Sequence, residues 1–441
     1  MHSVTTAGVL LIGVDGGATE VKAHAVACDD LQQPRSFALR PESASRVYRR
    51  VPGFAPLPVP EQLAQRDAGA LELSAPEREQ GGLWVRSAAE AILEVARCCG
   101  ATRLLVGIGM PGLKTADGRG INVINNGPRI PDYLDLLESR LAAAGVELVA
   151  PLAALASDAD CCGLGEEYAA DGLFRDVQSA YYVGCGTGIA DALKVRGRLL
   201  PFDQARSWIL KSWQMPSALG PTFEKLVSAS AMNRIYAQLR QTTRRRDEAA
   251  AGHPHTRHTP SGYPERAALA GDPLASAWLD TAALLLAELI FERLSTVRNG
   301  RPDAPHRGEI YARLDPDHEY RGTLLDRVII GQRLGLIYGD PACRGVFGDK
   351  VDAYLAAFIA GCDDAGMHAA YLAEAGGGER ECSAVEGRRH GAADQAPRAR
   401  SAGAAQLRPR FLVASKLRAA PALGAAVGAV RALSAPGRSS G

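Results

Sequence analysis

Val9-Leu10-Leu11-Ile12-Gly13-Val14-Asp15-Gly16-Gly17-Ala18-Thr19-Glu20-Val21-Lys22 is an apolar run that stops at an acid and two glycines, and an alternating run follows from Val21 to Ala27. Two apolar segments around a Gly-rich turn predict a β-hairpin. Gly16 and Gly17 are expected to turn the backbone tightly with positive φ and to let a ligand approach closely. Backbone N–H groups in such a turn can bond phosphate oxygens. Thr19 adds a hydroxyl donor and Lys22 a positive charge, while Asp15 ends the strand with a carboxylate suited to orient a water on Mg²⁺. The alternative is an ordinary Asp-Gly hairpin turn.

The same pattern returns at Gly184-Cys185-Gly186-Thr187-Gly188, between a strand read at Gln178 to Val183 and another at Ile189 to Val195. This is not the dinucleotide fingerprint, because that fingerprint opens a helix and here a strand follows. Two such hairpins, from opposite halves of a chain, can close on one nucleotide between two lobes. Between them, Ser157-Asp158-Ala159-Asp160 opens a small-residue helix to about Tyr168, with Ser157 or Asp158 as N-cap. A carboxylate at Asp158 can take a proton from a substrate hydroxyl, while Mg²⁺ neutralises the β- and γ-phosphates. The alternatives are a helix cap for Asp158 and a solvated first-turn acid for Asp160.

Farther out the reading is coarser. Residues 29–80 are Pro-rich and weakly periodic, and read as loops with one more strand. Ser87 to Cys99 has helical spacing capped by Gly100, Leu104 to Ile108 reads as a strand, Tyr133 to Ala144 as a helix and Val146 to Ala150 as a strand. Helices are predicted at Phe223 to Leu239, Leu274 to Val297 and from Asp352 to Ile359 onward. Phe411 to Ala414 reads as a strand and Pro421 to Leu433 as a helix. The stretches 242–266, with three histidines and an Arg run, and 379–410, rich in Gly, Ala, Arg and Pro, read as flexible inserts. The strand–turn–strand unit near residue 15 is echoed near residue 186.

Composition bounds the function. The chain has 441 residues, 50 Lys+Arg against 49 Asp+Glu, and a formal net charge of +1. That balance argues against a nucleic-acid binder, which needs a cationic surplus. Mean hydropathy is -0.08, no apolar run is read as approaching the ~20 residues of a membrane span, and Met1 to Thr5 lacks the pattern of a signal peptide. A cytoplasmic location with no membrane partner is expected. The nine cysteines include no CxxC pair, which argues against a zinc ribbon or a redox dithiol.

The order DGGATEVK, GIGMPG, SDADCCGLGE, YYVGCGTGIADALKVRGRLL and LRAAPALGAA resembles the ROK family of sugar kinases and related proteins. That family belongs to the actin-like ATPase superfamily with hexokinase and the heat-shock chaperones. The resemblance spans roughly residues 8–235 and 411–430 and is poor around 240–410. It implies an α/β, two-lobed actin-like (ribonuclease H-like) fold with a nucleotide cleft between the lobes. The first lobe would cover 8–156 and the second 157–420, with a helix at about 421–433 packing back on the first. Asp15, Gly16, Gly17 and Thr19 match the first phosphate motif, and Gly184, Gly186, Thr187 and Gly188 the second. Asp158 is then the implied catalytic base. Gly112 lies in the first connecting segment, Asn126 matches an Asn near the sugar, Ser157 replaces the usual sugar-binding Asn, and Glu224 matches a Glu that reaches the sugar. Gly376 and Gly377 stand where the adenosine motif is expected.

Departures are equally specific. The E-x-G-H segment that grips sugar hydroxyls and carries a zinc-binding His is absent, its place taken by residues 203–214. The family's zinc cysteines are missing, since no Cys lies between Cys185 and Cys343. Zinc is not implied. Trp208 and Trp213 could stack on a sugar or simply pack. The resemblance implies ATP and Mg²⁺ as cofactors, a hexose or N-acyl hexosamine as substrate, and admits a homodimer. The rival within the family is a sugar- or nucleotide-binding regulator that has lost turnover. A DNA-binding repressor is not expected, because only eight residues precede Val9.

Overall fold

The computed structural model describes residues 8–31, 36–202, 204–205, 207–251, 263–301, 303, 313–373 and 405–434, with backbone alone at 246–251 and 434. In chain order the strands are β1 (Leu10–Gly16), β2 (Glu20–Cys28), β3 (Phe37–Val47), β4 (Arg103–Met110), β5 (Leu113–Lys114), β6 (Ile121–Val123), β7 (Glu147–Leu148), β8 (Ala156–Ser157), β9 (Ala180–Cys185), β10 (Ile189–Val195), β11 (Arg198–Leu200), β12 (Arg327–Gly331) and β13 (Leu412–Ala414). The helices are α1 (Val59–Asp67), α2 (Ala75–Cys98), α3 (Tyr133–Ala143), α4 (Asp158–Tyr168), α5 (Phe223–Val227), α6 (Ala229–Ala251), α7 (Pro264–Leu269), α8 (Pro273–Asn299), α9 (Gln332–Gly339), α10 (Asp349–Gly361), α11 (Ala365–Tyr371) and α12 (Ala420–Ser434).

Two sheets carry the fold, and they are topological copies. The first runs β3-β2-β1-β4-β7, with β8 also on β4; the second runs β11-β10-β9-β12-β13. In each, an antiparallel hairpin is followed by parallel strands: β1 pairs antiparallel with β2 and parallel with β4, and β9 pairs antiparallel with β10 and parallel with β12. The echo in the sequence is therefore an echo in topology. Equivalent positions even coincide, since Asp15 lies beside Gly109 and Gly184 beside Gly331.

The buried strands read as continuous apolar runs because both faces of each sheet are covered. On one face of the first sheet, Ile12, Val14, Val106 and Ile108 pack with Trp84, Ile92 and Leu137 of α2 and α3. On the other, Leu11 and Leu105 meet Leu423, Ala426 and Val430 of α12. The helix lies almost on the backbone of the sheet. A Cβ built on Gly13 would sit 1.9 Å from the Ala422 carbonyl oxygen, and one on Gly107 would sit 1.8 Å from that of Ala425. Small residues along α12 make that approach feasible. The helix α4 packs next to α12, a Cβ on Gly424 falling 1.7 Å from the Cys161 carbonyl oxygen. Ala159 and Cys162 of α4 then meet Tyr182, Ala192 and Ile329 of the second sheet. Two helices thus lie between the sheets, and the larger core beyond the second sheet is built on α8.

Several expectations are corrected. The stretch 29–80 holds α1 and the start of α2 as well as β3. Helix α2 begins at Ala75, twelve residues before the expected Ser87, with Ser74 capping it through a bond from the Glu77 amide at 3.2 Å. Gly100, at φ +63°, stops it as expected. The strand expected at Val146 to Ala150 pairs only over Glu147–Leu148. The helix expected from Phe223 to Leu239 breaks at Ser228, which is extended at ψ 149°. In the stretch read as a flexible insert at 242–266, α6 continues to Ala251 and α7 starts at Pro264; residues 252–262, with the three histidines, lie outside the described residues. Of the stretch 379–410, only 405–410 is described, with Leu407 bridging to Leu372. Contrary to the reading that no apolar run approaches a membrane-spanning length, α8 is long and apolar enough by length and composition to cross a bilayer. It is apolar because it is a core helix: Leu279, Leu286, Leu289 and Ile290 are fully buried.

Candidate active site

The hairpins place their turns at the ends of matching strands. Turn 17–19 leaves β1 and returns in β2 with Gly16 opposite Val21 and Asp15 opposite Lys22. Neither Gly16 nor Gly17 has the positive φ expected of them. Gly16 is needed for another reason, since its Cβ would fall 1.8 Å from Met110 Sδ at the end of β4. Lys22 is paired with Glu20, Nζ to Oε1 at 2.8 Å, and Thr19 is exposed.

The second turn is tighter. The Gly186 amide donates to the Gly188 carbonyl at 2.9 Å, and the Ser230 hydroxyl at the start of α6 donates to the Thr187 carbonyl. The three glycines here also have ordinary φ. Each stands where a side chain would collide: Gly184 against the Tyr182 ring, Gly186 against Gln332 and Gly188 against Glu224.

Asp158 is the first residue of α4, directly after β8, which pairs Ser157 with Met110 and Ala156 with Gly109. Of the two cap candidates Ser157 takes the N-cap position, though its side chain makes no capping bond. Asp158 Oδ1 accepts the Ala159 amide at 3.0 Å and the residue is half-buried. Its charge is felt on both sides. Burial first, and then Asp158, push the Asp15 carboxyl up to about 6, with Lys22 opposing. Glu224 is also raised, chiefly by burial, with Asp158 and Asp191 adding to it and the Ile189 amide opposing. Asp158 is therefore close enough to act on the carboxyls of both Asp15 and Glu224.

Glu224, on α5, accepts the Ile189 amide at 3.0 Å with Oε2. Gly112 follows β4 with φ +86° and a Cβ direction only 2.3 Å from the Val123 carbonyl oxygen, so its glycine is dictated by the loop itself. Asn126 is exposed on the loop after β6. That loop is held from behind by polar groups absent from the sequence reading. Gln62 of α1 accepts the Ile124 amide at 2.8 Å and donates to its carbonyl at 2.9 Å. Arg129 makes a buried ion pair with Glu77 of α2 at 2.8 Å. Such a pair offsets its desolvation only with good geometry, and Arg129 also reaches Gln65 and the Glu72 carbonyl.

The segment standing where the family pattern breaks is pinned by a second buried pair. Asp191 of β10 accepts the Ser212 amide at 2.8 Å and its hydroxyl at 2.7 Å, and Arg293 of α8 reaches Asp191 at 3.1 Å. Trp208 packs against His318 and Tyr320, with ring centroids 5.5 and 6.2 Å away, so it is a core residue. Trp213 is exposed. Gly376 and Gly377 lie outside the described residues. A segment the sequence reading passed over, Gly331-Gln332, is the one beside the second turn, because Gly331 pairs with Gly184 at the carboxyl ends of parallel strands. Ligands of open α/β sheets bind at such ends. The signal was Val328-Ile329-Ile330-Gly331, an apolar strand running into a glycine and a helix.

No protein-family model matches the chain, and no curated protein matches it. Solved structures do. A ROK family glucokinase from Streptomyces griseus, in complex with glucose and AMPPNP, is similar at 15% sequence identity and a TM-score of 0.51, over 95% of this chain and 98% of that chain. A ROK hexokinase from Thermus thermophilus matches at 16% identity and a TM-score of 0.46, covering 96% and 99%. A ROK family transcriptional regulator, a homolog of the E. coli MLC protein, matches at 12% identity and 0.48, covering 97% and 79%. With its duplicated sheets, each opening on an antiparallel hairpin, the chain has the two-lobed α/β fold of the ROK family sugar kinases.

Proposed function

We propose that the chain is an ATP-dependent, glucokinase-like sugar kinase, transferring the γ-phosphate to a hydroxyl of a hexose or N-acyl hexosamine with Asp158 as general base. The observation that supports this reading is the position of Asp158, at the start of α4, where its charge raises both Asp15 beside the first turn and Glu224 behind the second. A carboxylate there accepts the hydroxyl proton while the oxygen attacks phosphorus in line.

In this reading Asp15, Gly16, Gly17, Thr19 and Lys22 serve the phosphates from the first lobe, residues 8–156 with α12. Gly184, Gly186, Thr187 and Gly188 serve them from the second, residues 157–420. Gly112, Asn126, Ser157 and Glu224 face the sugar. Two half-buried carboxylates that repel each other, Asp15 and Asp158, are the donor chemistry a divalent cation suits. Asp15 would hold Mg²⁺ through water, and the ion supplies neutralisation of the phosphate charge. Closing the two lobes excludes water and suppresses hydrolysis of the donor. The reaction is assigned to the cytoplasm.

A second reading, sugar or nucleotide binding without turnover, has one observation of its own. Ser157 stands where the family carries a sugar-binding Asn and is buried, which shortens the polar reach at that position. An ATP-consumption screen over hexoses, N-acyl hexosamines and pentoses separates the two. The kinase reading expects consumption with at least one sugar. Sugar binding by titration with no consumption on any sugar supports the second reading and contradicts the first.

A further inference from the structure

Gln332 opens α9 directly after Gly331 and has φ +55°, in the left-handed region. A non-glycine residue there carries a steric cost and persists only where its surroundings hold it. Those surroundings are the second turn on one side and the base helix on the other. An ideal Cβ on Gly186 would lie 2.2 Å from Gln332 Oε1, so the carboxamide rests against the turn at a residue with no side chain of its own. Its Nε2 faces Cys162 Sγ at 3.9 Å. Cys162 lies one turn along α4 from Asp158, and burial pushes its thiol well above the ordinary range, so the sulfur is neutral. A neutral thiol is a weak acceptor. A half-buried amide donor thus sits between the two parts of the site, bonded to a weak partner.

We infer that Gln332 is a binding residue for the phosphoryl donor: its Nε2 exchanges the Cys162 sulfur for a phosphate oxygen seated on the 184–188 turn. An ionised phosphate oxygen is the stronger acceptor, so the exchange favours the bound state. A glycine at 332 would suit the backbone better but could not donate, which explains why a strained glutamine serves this position. The inference rests on the kinase reading above, and its ligand is the polyphosphate portion of a nucleotide rather than the base.

The test is calorimetric titration of the full-length protein with AMPPNP in the presence of Mg²⁺, and separately with adenosine. Gln332→Glu should weaken AMPPNP binding by about tenfold or more, since a carboxylate repels phosphate, and Gln332→Gly by about three- to tenfold. Adenosine affinity should change less than about twofold in either variant, and Gln332→Gly should melt no lower than wild type because glycine accepts the left-handed backbone. AMPPNP affinity within twofold of wild type in both variants overturns the assignment, as does a parallel loss for adenosine. If the wild-type protein binds no AMPPNP, the kinase reading itself fails and this inference falls with it.

Discussion

Gly188 and Glu224 are locked together across the second hairpin: a Cβ on the glycine would lie 2.7 Å from Glu224 Oε2, the oxygen that accepts the Ile189 amide at 3.0 Å. The start of β10 and the start of α5 are joined through that carboxylate. Gly188→Ala should push it off the amide and cost about 1–2 kcal/mol, seen as a lower urea midpoint. The Michaelis constant for the sugar should rise as Glu224 moves. An unchanged midpoint and Michaelis constant would show that the carboxylate relaxes freely.

Asp15 gives a pH dependence with a definite sign. Its carboxyl is raised from 3.8 to about 6 in the folded chain. Between those values the folded state holds more protons than the unfolded one, so stability present below pH ~4 is lost as pH rises through ~6. Asp15→Asn removes that loss, and the variant should gain stability relative to wild type as pH rises from 4 to 7. Thermal melts of both proteins across that range check it. Asp158→Asn should shift the wild-type transition to lower pH, because one source of the raised value is gone.

The contact of α12 with the first sheet leaves no room for a methyl group. Gly107→Ala would drive a Cβ into the Ala425 carbonyl oxygen. Overpacking against backbone should cost about 3 kcal/mol, measured by denaturant unfolding. A cost under ~1 kcal/mol would mean that α12 shifts easily.

Asp191 and Arg293 are each 1% exposed and depend on one another. Arg293→Met should destabilise by about 3–5 kcal/mol, because it strands a buried carboxylate. Adding Asp191→Asn should cost less than the sum of the two single changes. Additive losses in the four-member cycle would show that the pair is not coupled.

The hairpins, the start of α4 and the strand–helix unit at β13 and α12 were legible because each joins an apolar run to a turn or a cap. The stretch from Val59 to Gln80 was not, and its buried side chains show why. Gln62, Glu77 and Gln80 point inward to satisfy loop backbone and Arg129, so apolar periodicity, the main signal for a helix, is missing there. The turn glycines were recognised for a conformation they do not adopt. Gly16, Gly186 and Gly188 are required instead by the close approach of Met110, Gln332 and Glu224 from distant parts of the chain, which local sequence does not display. Gln332 escaped for the same reason, since its partners lie on β9–β10 and α4.

The general-base assignment is tested most directly by comparing Asp158→Asn with wild type in two measurements on one preparation: AMPPNP affinity by titration, and phosphoryl transfer to the best sugar from the screen. Loss of a general base is expected to lower turnover by about 10²–10⁴-fold, with AMPPNP affinity within about threefold of wild type, because Asp158 does not form either turn. Turnover retained at wild-type level would contradict the assignment of Asp158 as the base.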